Sequence, residues 1–168
     1  MNAVLLSLFL EAVTQPAGTS PGVDLRGAWH AQTYTLKDGT RHPVRGSILF
    51  TERDWSVVFL VAPDGKKPVR GSGEAGTYRL EGNRLVFAHR YNLGGGQAVE
   101  GLPASPLEMN LHGEKDAPEE ACTVEVVGAA LTIRFPSGNA MTFERARATS
   151  LTSGGDFARI PPARRSNP

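Results

Sequence analysis

The chain has 168 residues, which is the size of one ordinary domain with some terminal extension. Hydrophobic residues make up 40% of it, while 19 Gly and 12 Pro stay below the roughly 25–30% share that marks disordered chains. Lys and Arg number 18 against 17 Asp and Glu, so the balance excludes a global positive field that would attract nucleic acid. With Cys122 as the single cysteine, an intramolecular disulfide is excluded as well.

The N-terminal segment 1–23 carries a short apolar run from Ala3 to Leu10. This run is far shorter than the ~20 residues that cross a bilayer, so we predict no transmembrane span. Its length fits the core of a secretory signal, although no Lys or Arg precedes it and Glu11 follows it directly. Two hypotheses stay open: a cleaved signal of a secreted or periplasmic protein, or a short helix packed on the domain of a cytoplasmic one.

From residue 24 to residue 147 apolar and polar residues alternate, and turn residues interrupt the pattern about every 8 to 12 positions. Such spacing is typical of antiparallel β-structure, and helix signals are nearly absent. The glycine-rich residues 94–106 have no period and predict a long loop. We therefore predict an all-β fold, an antiparallel sandwich or barrel of about eight to ten strands. Residues 148–168 have few apolar side chains and predict a disordered tail.

Two segments carry apolar side chains that could line the interior of such a barrel. In "WSVVFLVA", Trp55 and Phe59 share one face, and the other face is apolar too, which predicts a strand that is buried on both sides or lines a cavity. In "RLVFAHRY", alternation places Phe87, His89 and Tyr91 on one face. His89 is therefore the ionisable group on an apolar and aromatic stripe.

The last predicted strand, "MTFER", ends an apolar stripe with Arg145, which needs a partner. A guanidinium stacks well on an indole ring and can donate to carbonyls at chain ends. Trp29, which follows Gly27 at the start of the first strand, is the indole that we expect Arg145 to contact.

The order of these motifs resembles that of the lipocalins and calycins, in which a Trp of the first strand packs beneath an Arg of the last. More closely, "LRGAWH", "RGSILFT", "GEAGTYRL" and "MTFERA" are similar to segments of the bacterial lipocalin-like domain proteins, over about residues 25–147. The Thr-Asp-Tyr signature and the C-terminal helix of animal lipocalins are missing. The resemblance implies an antiparallel up-and-down barrel of the calycin type, closed at one end by Gly27, Trp29 and Arg145, with residues 94–106 at its mouth.

A barrel of about eight strands is either filled by side chains or holds one small ligand. The first hypothesis is therefore a module that binds a small hydrophobic or amphipathic molecule, without a cofactor, through a few polar groups on an apolar wall. His89 could orient a carbonyl or a carboxylate of that ligand. The expected wall is formed by Trp55, Phe59, Tyr78, Phe87, His89, Tyr91 and Phe135.

Other functions stay open on the same barrel. An isomerase or cyclase could use His89 and a Tyr or Glu as an acid–base pair, which requires a second titratable group within hydrogen-bond reach. A filled barrel would act as an interaction protein, and a haem barrel of the nitrobindin type would need an axial His. No metal site is predicted, because His30, His42 and His112 lack ligand spacing. Nothing in the sequence brings Glu74 and Glu108 together.

Overall fold

The computed structural model describes residues 23–63 and 67–147, so the predictions for segments 1–22 and 148–168 lie outside the described residues. Nine strands follow one another along the chain, and no helix long and apolar enough for a bilayer occurs among the residues described. The strands are β1 (Gly27–Thr35), β2 (Arg41–Phe50), β3 (Asp54–Val61), β4 (Arg70–Glu81), β5 (Arg84–Gly96), β6 (Ser105–Leu111), β7 (Glu119–Val127), β8 (Ala130–Arg134) and β9 (Ala140–Arg145).

Eight of the nine strands close into an antiparallel barrel. Strands β1 to β5 pair in sequence, β5 then pairs with β7, and β7, β8 and β9 lead back to β1. This closure confirms the predicted all-β up-and-down barrel. Strand β6 stays outside the ring, because it pairs only with the C-terminal half of β5.

The glycine-rich segment 94–106 is not the long loop that its composition predicted. Strand β5 continues to Gly96, and its last three residues pair with Arg70, Gly71 and Ser72 of β4. A Cβ atom on Gly96 would lie 2.3 Å from the Cβ of Arg70, so the lack of a side chain permits this pairing. The remaining loop is short, since β6 already begins at Ser105.

A β-bulge in β5 reverses the alternation of its side chains. Gly76 of β4 pairs with His89, but Ala75 pairs with Tyr91, so Arg90 is an extra residue on β5. His89 therefore faces the interior together with Asn92, whereas Tyr91 faces solvent with 51% of its surface exposed. The predicted sharing of one face by His89 and Tyr91 is thus wrong.

Strand β3 is buried on one face only. Trp55 and Val57 belong to the core, while Val58 and Leu60 on the opposite face are 56% and 40% exposed. Of the two predicted alternatives, burial on both sides is therefore wrong, whereas the other holds, since Trp55, Val57 and Phe59 line the interior cavity.

One end of the barrel is closed by the contact between the first and last strands. The Trp29 side chain is fully buried, and its indole N–H donates to the Leu25 carbonyl over 2.7 Å. The Arg145 guanidinium lies 4.0 Å from the centre of the Trp29 ring and donates to the carbonyls of Arg26 and Asp24, at 2.9 and 2.8 Å. Gly27 is the first residue of β1 and lies in the sequence between the residues that supply these carbonyls and Trp29.

Candidate functional site

A cavity enters the barrel from the end opposite Trp29. Its mouth lies between Tyr34, Pro118 and Ser137 and includes about 800 Å³ of space, part of it open to solvent. A narrower inner chamber continues below it, with about 340 Å³ of space that is likewise partly open to solvent and a cavity volume of only about 40 Å³. The walls of this chamber are aliphatic and aromatic, formed among others by Ile48, Val57, Phe87, Ile133, Met141 and Phe143.

Three ionisable side chains from three strands meet where the chamber joins the mouth. His89 Nδ1 lies 2.9 Å from Glu74 Oε2, and His89 Nε2 lies 3.6 Å from Glu120 Oε2. Ser72 donates to the other oxygen of Glu74 over 2.7 Å. We call Glu74, His89 and Glu120 the Glu–His–Glu cluster. Its members line both the mouth and the inner chamber.

The cluster favours a protonated imidazole. Burial lowers the pKa of His89, but the hydrogen bonds and charges of Glu120 and Glu74 outweigh burial and raise that pKa from 6.5 to about 9. Burial likewise raises the pKa of Glu74, yet hydrogen bonds from His89 and Ser72 bring it below its ordinary value. At neutral pH, His89 is an imidazolium and Glu74 a carboxylate.

The floor of the cavity is aromatic, and one of its rings carries a hydrogen-bond donor without a partner. The Trp55 ring lies 4.2 Å from that of Phe87 and meets the His89 ring edge-on at 5.2 Å. The Trp55 side chain is almost fully buried, and its indole N–H finds no acceptor within the described part of the chain. Buried donors normally have a partner, so this N–H marks a position where an acceptor is needed.

The structure brings most of the predicted wall together and leaves two residues out. Tyr78 packs edge-on against Phe50 at 5.1 Å and donates to the Thr51 carbonyl over 2.8 Å, beside Leu25 at the closed end. Tyr91 lies on the outer surface beyond the bulge. The residues that do line the cavity are Trp55, Phe59, Phe87, His89 and Phe135.

Sequence reasoning missed the two carboxylates of the cluster. Glu120 alternates in phase with the buried Cys122 and Val124, which is a signal that it faces inward. In the sequence, Glu74 was considered only as a possible partner of Glu108, but Glu108 lies on the exposed strand β6. The true partner of Glu74 is His89 on the neighbouring strand.

The remaining histidines do not form a cluster. His42 is buried and its Nε2 lies 2.9 Å from the Glu100 carbonyl, within hydrogen-bond distance. Within residues 23–63 and 67–147, no group of three or more His, Cys, Asp or Glu side chains is arranged to hold a metal ion.

No protein-family model matches the chain, and comparisons with curated proteins and with solved structures likewise gave no match. The function must therefore be argued from the geometry of the cavity.

Proposed function

We propose that this protein binds a small amphipathic molecule inside its barrel, in the manner of lipocalin-like proteins. The proposal rests on a cavity that is open at one end and aromatic at its floor. The polar side chains of the Glu–His–Glu cluster lie between these two ends, where the chamber joins the mouth. Sites for small molecules typically combine an apolar wall with a few polar groups that orient the ligand.

The dimensions of the cavity set the size of the ligand. The inner chamber is narrow and suits an apolar group about as large as one aromatic ring, placed between Trp55, Phe87 and Ile133. The polar part of the molecule would remain at the level of His89, and any further part would extend into the wider mouth.

The test is a titration with phenethyl alcohol, a neutral molecule with one ring and one hydroxyl group. We expect a saturable NMR shift of the Trp55 indole resonance, while the Trp29 resonance at the closed end stays unchanged. Val57→Phe should abolish the shift, because a ring would replace the free space beside Val57. Val127→Phe, at a position that is 67% exposed, is the matched control.

Thermal unfolding must show that Val57→Phe is folded, and Phe59→Trp at the half-buried wall provides a second blocked variant. The proposal is wrong if wild-type protein shows no saturable shift, or if both blocked variants bind as the wild type does.

Acid–base catalysis is the second candidate function, and the Glu–His–Glu cluster is the observation that favours it. The raised pKa makes His89 a proton donor at neutral pH rather than a base, so a carboxylate would have to accept the proton. We would incubate the protein with a small-molecule extract of its host and follow changes by mass spectrometry. A conversion that needs both His89 and Glu120, tested with His89→Gln and Glu120→Gln, would favour an enzyme.

A further inference from the structure

We infer that the cavity selects an organic cation, an amine with a small apolar group, over an anionic or neutral ligand of the same shape. This inference rests on the proposed function and adds the charge class of the ligand.

The first argument is the charge that surrounds the ligand position. Glu74 and Glu120 place two carboxylates around one imidazole, and no Lys or Arg from the described residues lines the chamber or the mouth. Glu119 also borders the mouth but is paired with Arg79 at 2.6 Å. The cluster therefore carries an excess negative charge when His89 is protonated, and charges in such a partly buried site interact more strongly than charges in bulk water.

The second argument is which hydrogen-bonding groups remain free. Both ring nitrogens of His89 face carboxylates, so the ring has no donor left for an anionic ligand. Glu74 is also occupied, since it accepts from His89 and Ser72. Glu120 has only the 3.6 Å contact to His89 among the described residues, and its side chain is 32% exposed. An ammonium group in the mouth would complete its hydrogen bonding.

The third argument comes from the aromatic wall. Phe59 and Phe135 border both the chamber and the mouth, so a cation held by Glu120 would lie among aromatic side chains. The Trp55 ring extends this aromatic wall at the floor of the chamber.

The experiment compares phenethylamine, phenethyl alcohol and phenylacetate, which differ mainly in the charge of one group. By calorimetry at neutral pH, we expect the amine to bind at least about tenfold more tightly than the alcohol, and phenylacetate to bind more weakly than both.

Glu120→Gln should abolish the preference for the amine, so that the ratio of the amine and alcohol affinities falls to about one; this ratio is the readout, because the substitution can change the affinity for the alcohol as well. The matched control is Glu125→Gln, which removes an exposed carboxylate from the same strand. If the alcohol binds but the amine is not preferred, the inference on charge is wrong and the proposed function stands. If neither the alcohol nor the amine binds, the proposed function fails.

An independent observation concerns β6, which forms an open edge of the sheet. It pairs with β5 on one side and with no described strand on the other. Its side chains Leu107, Met109 and Leu111 are 65%, 74% and 75% exposed, and they continue an apolar surface that includes Leu93 and Tyr91. Long apolar edges are normally covered, because their free backbone groups pair readily with another strand.

We propose that β6 of a second copy covers this edge, in an antiparallel pairing about a two-fold axis at Met109. His112 N–H donates to the Arg90 carbonyl, so by alternation the backbone groups of Met109 face the free edge. Pairing centred on Met109 places Leu107 opposite Leu111, and Glu108 opposite Asn110, so that no like charges meet. The edge is therefore complementary to itself.

The test is the molar mass in solution over a range of concentrations. We expect a dimer that Met109→Lys converts to a monomer, while Val127→Lys, another exposed apolar position, leaves it intact. Met109→Cys should form a disulfide between two copies under oxidation, since Cys122 is buried and does not compete. A wild-type monomer at millimolar concentration, or a dimer that survives Met109→Lys, would overturn the proposal, and the second result would assign the contact to another surface.

Discussion

Arg145 joins the last strand of the barrel to the segment that precedes the first. Its guanidinium stacks on Trp29 and donates to two backbone carbonyls, so a planar group with several donors is needed at this position. A Lys ammonium could hold one of the carbonyls but would stack less well on the indole ring.

Arg145→Lys should therefore lower the free energy of unfolding by about 2 kcal/mol, through the loss of one hydrogen bond and part of the cation–π contact. Urea denaturation measures this change. Arg134→Lys, at an exposed position of β8, is the control and should stay within about 0.5 kcal/mol of the wild type. Equal effects of the two substitutions would contradict a specific role of Arg145.

The contact between Trp29 and Arg145 could be anticipated from the sequence, because each residue stands out at one end of the strand pattern. The partners of His89 could not. Glu74 reaches it across the β4–β5 pair, and Glu120 reaches it from β7, which becomes a neighbour of β5 only because β6 leaves the ring. Alternation tells which way a side chain faces but not which strand lies beside it.

At the scale of one element, the bulge at Arg90 decides which residues of β5 belong to the site. Without the extra residue, Tyr91 would face the cavity as the sequence pattern predicted, and Asn92 would face solvent. Bulges leave no clear mark in a single sequence, which is why the alternation predicted for β5 holds up to His89 and fails at Tyr91.

Gly76→Ala tests the importance of this bulge. A Cβ atom at Gly76 would lie 1.8 Å from the Ala88 carbonyl oxygen, so the backbone of β4 or β5 would have to move beside His89. We expect a loss of at least about 2 kcal/mol in the free energy of unfolding and an altered NMR titration of His89. Gly113→Ala is the control, since its nearest neighbour, an oxygen of Asp116, would lie 3.5 Å away. A stable Gly76→Ala variant with an unchanged His89 titration would contradict the expectation.

At the scale of the whole molecule, the barrel is closed by pairings between strands that are far apart in the chain. Turn spacing and alternation were sufficient to predict the strands and their antiparallel order, because hairpins connect neighbours. They could not predict that the ring omits β6, since the glycines at the end of β5 have the composition of a loop but the conformation of a strand. The open cavity and the exposed edge of β6 both result from pairings between strands that are far apart in the chain.

The charged cluster makes the stability of the whole fold depend on pH. Because the pKa of His89 rises from 6.5 to about 9 on folding, the cluster adds about 3 kcal/mol, fully present below pH 6.5 and lost as pH rises through 9. The lowered pKa of Glu74 makes stability depend on pH at the acid end of the range. Its contribution to the free energy of unfolding is present above pH 4.5 and is lost as the pH falls below that value.

We therefore expect maximal stability between these limits and a decline toward alkaline pH, measured by urea denaturation at a series of pH values. His89→Gln should be less stable than the wild type at neutral pH, since Glu74 and Glu120 would face each other without an imidazolium. The difference should shrink above pH 9, where the wild-type ring has lost its charge as well. His30→Gln, at an exposed position, should keep the alkaline decline. A difference between wild type and His89→Gln that stays constant across this range would mean that packing, and not charge, links His89 to stability.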